Sequence, residues 1–149
     1  MEQNHYPRFF LMLAVSFVVM YVVMYLNTYA FDHVYFSLTR LYMTVLMIAA
    51  MALIMLLFMP KMYPDKRRNA LIITGSISVF VAALLMVRSQ TFVNDTRWMK
   101  AMIPHHSIAI MVSKRAAISD PEARQLADDI IRAQEREIKQ MKAMIRRLE

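Results

Sequence analysis

Cysteine is absent from this 149-residue chain, and glycine occurs once. Without cysteine there is no disulfide, no thiolate metal site and no cysteine nucleophile. A single glycine excludes a collagen-like fibre, a loop-rich scaffold and a Gly-rich phosphate loop. A nucleophile elbow and a His-Glu-x-x-His zinc motif are also missing, so signals for an enzyme are thin. Apolar residues, by contrast, make up 58% of the chain and methionine alone accounts for 16 positions, which excludes disorder and favours helix.

Charge is absent from three long runs: Phe9–Leu26, Leu41–Met59 and Ala70–Val87. Each is close to the ~20 residues that a bilayer core demands. None has the polar face of a soluble helix, so each reads as a membrane-spanning helix. The first run is longer than the roughly 7–15 apolar residues of a signal peptide, and Thr28-Tyr29-Ala30 is a weak cleavage site, so it reads as a retained span. With no Asp, Glu, Lys, Arg or His inside any run, a proton-coupled pump is disfavoured.

Basic residues set the orientation. Lys61, Lys66, Arg67 and Arg68 stand against Asp65 between the second and third runs, whereas Asn27–Arg40 holds one arginine against Asp32. The 60s loop and the N-terminus are therefore expected in the cytoplasm, and the segment after the third span outside. Tyr25, Tyr29, Tyr35, Tyr42 and Tyr63 lie near the span ends, as an aromatic belt would. Met43, Met47, Met51, Met55 and Met59 repeat every four residues, and Met20 and Met24 continue the theme in the first run. Such a row is either a thioether path for Cu(I) or a helix-packing ridge, and the ridge is the simpler reading. Ala70, Thr74, Ser78 and Ala82 form a small-residue row that is expected to pack against another helix. Asp32 and His33 read as a solvated loop pair.

Residues 1–90 thus form a membrane segment and 91–149 a second segment of mixed charge. From residue 90 onward 11 Lys/Arg face 8 Asp/Glu, with no one-signed patch of the kind nucleic acid requires. The pattern predicts helices over about 95–118, with Asp95 as cap, and about 121–148. Ser119-Asp120-Pro121-Glu122 marks the second start, with Asp120 as N-cap and Pro121 in the first turn. Leu126, Ile130, Ile131, Ile138, Met141, Ile145 and Leu148 then draw one apolar stripe.

On the first of these helices Met102, His105, His106 and Ala109 share a face, and Pro104 has no N–H and is expected to kink the helix just before the histidines. On the second, Glu137 interrupts the apolar stripe between Gln134 and Met141, and Met144 lies on the same side. A carboxylate there is costly to bury unless it is paired or bound to a cation, and neutral histidine is its natural partner. Thioether and imidazole groups without cysteine select copper, particularly Cu(I). The alternative is that the histidines are structural and the methionines fill the core.

The segment from about Asp95 to Leu148 resembles the domain-of-unknown-function family 305. The resemblance rests on Trp98-Met99-x-x-Met102-Ile-Pro-His105-His106-x-x-Ala109, Asp120-Pro-Glu-x-Arg124-x-Leu126-Ala127 and Ile130-Ile131-x-x-Gln134-x-x-Glu137-Ile138-x-x-Met141. It implies an exported or membrane-tethered ferritin-like bundle with Met and His as copper ligands. By position the implied ligands are Met102, His105, His106 and Met141, with Glu137 and Gln134 as the family's polar pair; Met99 completes the candidate set. The family often carries the hairpin twice, whereas this chain has it once. A homodimer is therefore expected to complete a four-helix bundle.

The expected architecture is all-α: three transmembrane helices and an extracytoplasmic helical hairpin, in a bacterial inner membrane with the hairpin periplasmic or extracellular. The leading function is copper binding for storage, buffering or delivery to a partner. One alternative is a ferritin-like di-metal oxidase using iron or manganese across a dimer, although that site normally has more carboxylates than are visible here. Another is a metal-free assembly module.

Overall fold

The computed structural model describes residues 5–149; the first four positions of the expected membrane segment lie outside the described residues. Those described are all-α: α1 (Tyr6–Val23), a single 3-10 turn (Phe31–His33), α2 (Leu38–Phe58), α3 (Lys66–Ser89), α4 (Asp95–Arg115) and α5 (Pro121–Leu148). They fall into two compact units. One comprises Met1–Val22 and Thr39–Thr91; the other comprises Val23–Leu38 and Phe92–Glu149.

In the first unit α1, α2 and α3 are each long and apolar enough to cross a membrane. Only 6% of the most apolar window of α1 and of α3 is buried, against 33% for α2, so most of their apolar surface is left for lipid. One end of the unit is closed by Tyr6, Phe9, Ala52, Met55, Leu56 and Tyr63. The Tyr63 ring lies 5.4 Å from that of Tyr6 and 5.3 Å from that of Phe9. Tyr6 donates to Asn69 Oδ1 at 2.8 Å, and Asn69 Nδ2 donates to the Tyr63 carbonyl at 2.7 Å. At the other end Tyr42 donates to the Thr91 carbonyl at 2.8 Å.

The helices depart from the charge-free runs in instructive ways. α2 and α3 begin three or four residues early and take in Arg40 and Lys66–Arg68, because helical hydrogen bonding does not stop where hydrophobicity does. Asp65 caps α3 by accepting from the Arg68 amide at 3.0 Å. The Ala70, Thr74, Ser78, Ala82 row is exposed rather than packed. The bulkier Ile72 reaches the core cluster instead, and Ser78 satisfies its hydroxyl on the Thr74 carbonyl at 2.9 Å within its own helix. The four-residue methionine row winds from buried Met55 to exposed Met59, as a spacing of four must on a helix of 3.6 residues per turn.

The tyrosines expected as a belt are occupied internally. Tyr42 and Tyr63 are buried, Tyr35 packs against the hairpin core, and the Tyr25 hydroxyl accepts from the Ser37 amide at 3.1 Å. The Tyr29 ring lies under the Lys114 ammonium, 4.5 Å from its centroid.

The second unit is the α4–α5 hairpin with the 23–38 segment laid on it. Asn94, not Asp95, caps α4, accepting from the Arg97 amide at 3.0 Å. α4 continues unbroken through the buried Pro104 and stops at Arg115, three residues short of expectation. There Arg124 of α5 donates to the Ser113 carbonyl at 3.0 Å, satisfying an end-of-helix acceptor. Asp120 and Pro121 open α5 as expected, with Asp120 accepting from the Ala123 amide at 2.7 Å. Met99, Ile103, Ile110, Ile138, Met141 and Ile145 form the shared core.

The 23–38 segment is fastened by a buried serine. Ser107 is fully buried; it accepts from the Tyr29 amide at 2.7 Å and lies 2.9 Å from His33 Nδ1. Lys142 of α5 donates to Asp32 at 2.5 Å. His33 is therefore not solvated, whereas Asp32 remains 71% exposed beside Lys142. The His33 side chain is 13% exposed, and burial, reinforced by Lys142 and opposed by Asp32, pushes its pKa below the ordinary 6.5. The hydrogen bond from Lys142 holds Asp32 below the usual carboxylate value.

Both shifts destabilise the clasp in acid. A histidine whose folded pKa is depressed binds its proton more readily when released. Its contribution is thus complete above the ordinary value of 6.5 and declines as pH falls below it. The Tyr29 amide should lose hydrogen-exchange protection between neutral pH and about pH 5. Ser107→Ala should lower the protection by about 1–3 kcal/mol at neutral pH and flatten that pH dependence.

Candidate metal centre

α4 turns Met99, Ile103, His106 and Ile110 toward α5, while the buried Ser107 beside them faces the 23–38 segment. Consecutive residues on a helix diverge by about 100°, so burying His106 carries His105 away from that side. His105 is exposed, its ring centroid 6.3 Å from that of His106. The shared face expected for the two histidines is therefore split. Met102 is half-buried and borders the core, and Met99 and Met141 lie inside it.

From α5, Glu137 meets His106: Oε2 stands 2.7 Å from Nε2. A carboxylate only accepts, so Nε2–H donates and Nδ1 of the neutral ring is a bare lone pair. Nδ1 is buried and has no partner among the described residues, and the same holds for Gln134 Oε1, one turn before Glu137. Glu137 itself keeps a side-chain exposure of 49%, at the rim rather than inside the apolar stripe.

Two buried acceptors without donors are costly in a finished core, at about 1–3 kcal/mol each. They suit a cation. A carboxylate on one imidazole nitrogen orients the ring so that the other nitrogen is presented as a ligand. The uncharged donors of the hairpin core and its border are the thioethers of Met99, Met141 and Met102. Among the described residues no three His, Asp or Glu side chains are grouped closely enough to hold a metal ion. The donor set is therefore soft, and a hard-cation carboxylate cage is not formed within one chain.

Sequence reasoning overlooked Ser107, which follows the conspicuous His-His pair. Nothing in its spacing signals that it grips residues 74 and 78 positions earlier. It also missed the Lys114–Glu135 contact of 2.9 Å, which raises the Lys114 pKa.

The chain belongs to the DUF305 family, described as a domain of unknown function, whose sequence profile matches residues 80–145. That match starts inside α3, earlier than the resemblance at Asp95 suggests. The chain is also similar to Uncharacterized protein L153 of Acanthamoeba polyphaga mimivirus, 34% identical over 139 residues covering 91% of this chain and 90% of the relative. The membrane helices are thus part of the shared sequence. No solved structure matches the chain.

The His106–Glu137 contact generates a stability contrast. Glu137→Ala should cost about 1–2 kcal/mol in the metal-free protein, because it strands the buried Nε2–H. Glu135→Ala, which removes a surface partner of Lys114, should cost under about 1 kcal/mol. Parallel denaturant titrations of the two variants would measure the difference.

Proposed function

We propose that this is a membrane-anchored copper-binding protein that holds Cu(I) through imidazole and thioether groups for storage, buffering or hand-over to a partner. One observation carries the reading: His106 is buried and oriented by Glu137, yet its Nδ1 lone pair has no partner among the described residues. Met102 and Met141 would supply sulfur, Met99 a further thioether, and Gln134 Oε1 an oxygen at the edge. A bound Cu(I) would be cargo held by soft donors. The absence of cysteine agrees with an oxidising compartment. The basic 60s loop supports a cytoplasmic N-terminus with the hairpin on the far side of a plasma or inner membrane.

A second copy would complete the hairpin as a four-helix, ferritin-like bundle. Trp98 and Val112 on α4 and Leu126, Met144 and Leu148 on α5 are 45–61% exposed. His105 lies on the exposed surface of the same hairpin. In a homodimer, apolar side chains of this kind would be covered, and His105 of one chain would be available to the site of the other. The di-metal oxidase is the weaker reading, because the carboxylates it requires are not grouped within the chain.

The test is a Cu(I) competition titration of the detergent-solubilised full chain, with iron and manganese as comparison metals. Stoichiometric copper is expected, lost in His106→Ala and weakened at least about tenfold in the double variant Met102→Leu/Met141→Leu. Stoichiometric iron or manganese would favour the oxidase instead. No metal in any variant would leave the motif as an assembly element.

A further inference from the structure

We propose that the segment between α1 and α2, together with Phe92, is a lipid-contacting surface at the headgroup layer of the bilayer. The inference rests on α1, α2 and α3 crossing the membrane, and it is independent of metal binding.

A chain segment joining two successive spans leaves and re-enters the bilayer on the same face. Residues 24–37 connect α1 to α2 in this way, so none is far from the lipid surface. Phe92 lies three residues beyond the end of α3 at Ser89. These short connections carry largely exposed apolar side chains: Phe31 is 92% exposed, Leu26 75%, Phe92 71% and Phe36 63%. Phe92 is also held at φ 61, a left-handed backbone unusual for a bulky residue, with its carbonyl accepting from Arg97 at 2.7 Å.

A solvated loop of this composition would expose far more aromatic surface than a water-facing segment normally tolerates. Several polar groups of the same segment are engaged within the second unit, while Asn27 and Asp32 stay exposed. The Tyr29 amide and His33 are engaged with Ser107, Asp32 with Lys142, and the Tyr25 hydroxyl with Ser37. The segment is thus two-sided, with hydrogen bonds on the hairpin side and phenylalanines outward. An outward apolar fringe next to span ends fits the boundary between headgroups and acyl chains. A second copy of the chain is the competing occupant, but nothing ties that alternative to the span ends, whereas Leu26, Phe36 and Phe92 lie within three residues of them and Phe31 lies midway along the short connection between two of them.

Tryptophan occurs once, at Trp98, so Trp98→Phe supplies a tryptophan-free full chain. Into it Phe31→Trp and, separately, Leu26→Trp are introduced; both positions are exposed, so neither replacement disturbs packing. Each protein is reconstituted into phosphatidylcholine vesicles with or without bromine on the acyl chains, and flotation of the vesicles reads insertion of the spans independently. The expected result is blue-shifted emission, quenched about twofold or more by brominated lipid and shielded from aqueous acrylamide at both positions. Floating protein whose tryptophans are open to acrylamide and blind to bromine would overturn the proposal. So would a blue shift that ignores bromine and tracks the protein-to-lipid ratio, which would assign the surface to a second copy. Protein that fails to float would instead remove the membrane-span premise.

Discussion

His106 and Ser107 occupy one turn of α4, and the second unit hangs on what these two buried polar side chains do. His106 reaches α5 through Glu137, and Ser107 reaches the 23–38 segment through Tyr29 and His33. Apolar packing around them comes from isoleucines and methionines, which attract without specifying a partner. The hydrogen bonds are directional and costly to leave unmade, so they set which surfaces meet. A clasp at Ser107 thereby shares a helical turn with the imidazole that the proposed site depends on. Loosening the clasp removes the support next to His106.

The membrane helices were readable because lipid imposes one severe rule: backbone groups must pair within the segment, and charge must stay out. Phe9–Leu26, Leu41–Met59 and Ala70–Val87 therefore identify α1, α2 and α3 to within a few residues at either end. The hairpin was readable for a different reason, since Asp120-Pro121 is a local signal whose meaning does not depend on tertiary contacts. Where partners are distant, legibility fails. Asp32 and His33 look like loop residues until Lys142 and Ser107 are brought to them. The five tyrosines look like a membrane belt, yet Tyr42 and Tyr63 are buried, Tyr25 and Tyr35 are engaged with Ser37 and the hairpin core, and Tyr29, 43% exposed, lies under Lys114. Spacing put Met102, His105 and His106 on one broad face. It does not say which edge of that face is covered, and the structure covers the His106 edge alone.

The chemistry of the candidate centre turns on which donors are missing. A di-metal carboxylate site neutralises two hard cations with several Asp or Glu side chains. Here Glu137 is engaged with an imidazole and stays half in solvent. The other donors are thioethers and an amide oxygen, all neutral. A neutral pocket gains little from a doubly charged ion that must shed tightly held water. A singly charged, polarisable ion sheds less and bonds to sulfur more strongly. For the proposed metal centre, the identity of the donors, independently of any distance, is the argument for Cu(I) over iron or manganese.

A hairpin of two helices can bury one stripe of each, and this one leaves Leu126, Val112, Met144 and Leu148 uncovered. So small a core is marginal by itself. The 23–38 segment relieves part of the deficit, since Tyr35 packs on the hairpin core while Tyr29, Asp32 and His33 bind its flank. The segment runs on at both ends into α1 and α2, helices long and apolar enough to cross a membrane. A hairpin cut free of α1–α3 would lose the clasp along with its anchor. The near full-length match to the viral relative, through the membrane helices, is consistent with the two units being kept as one working piece.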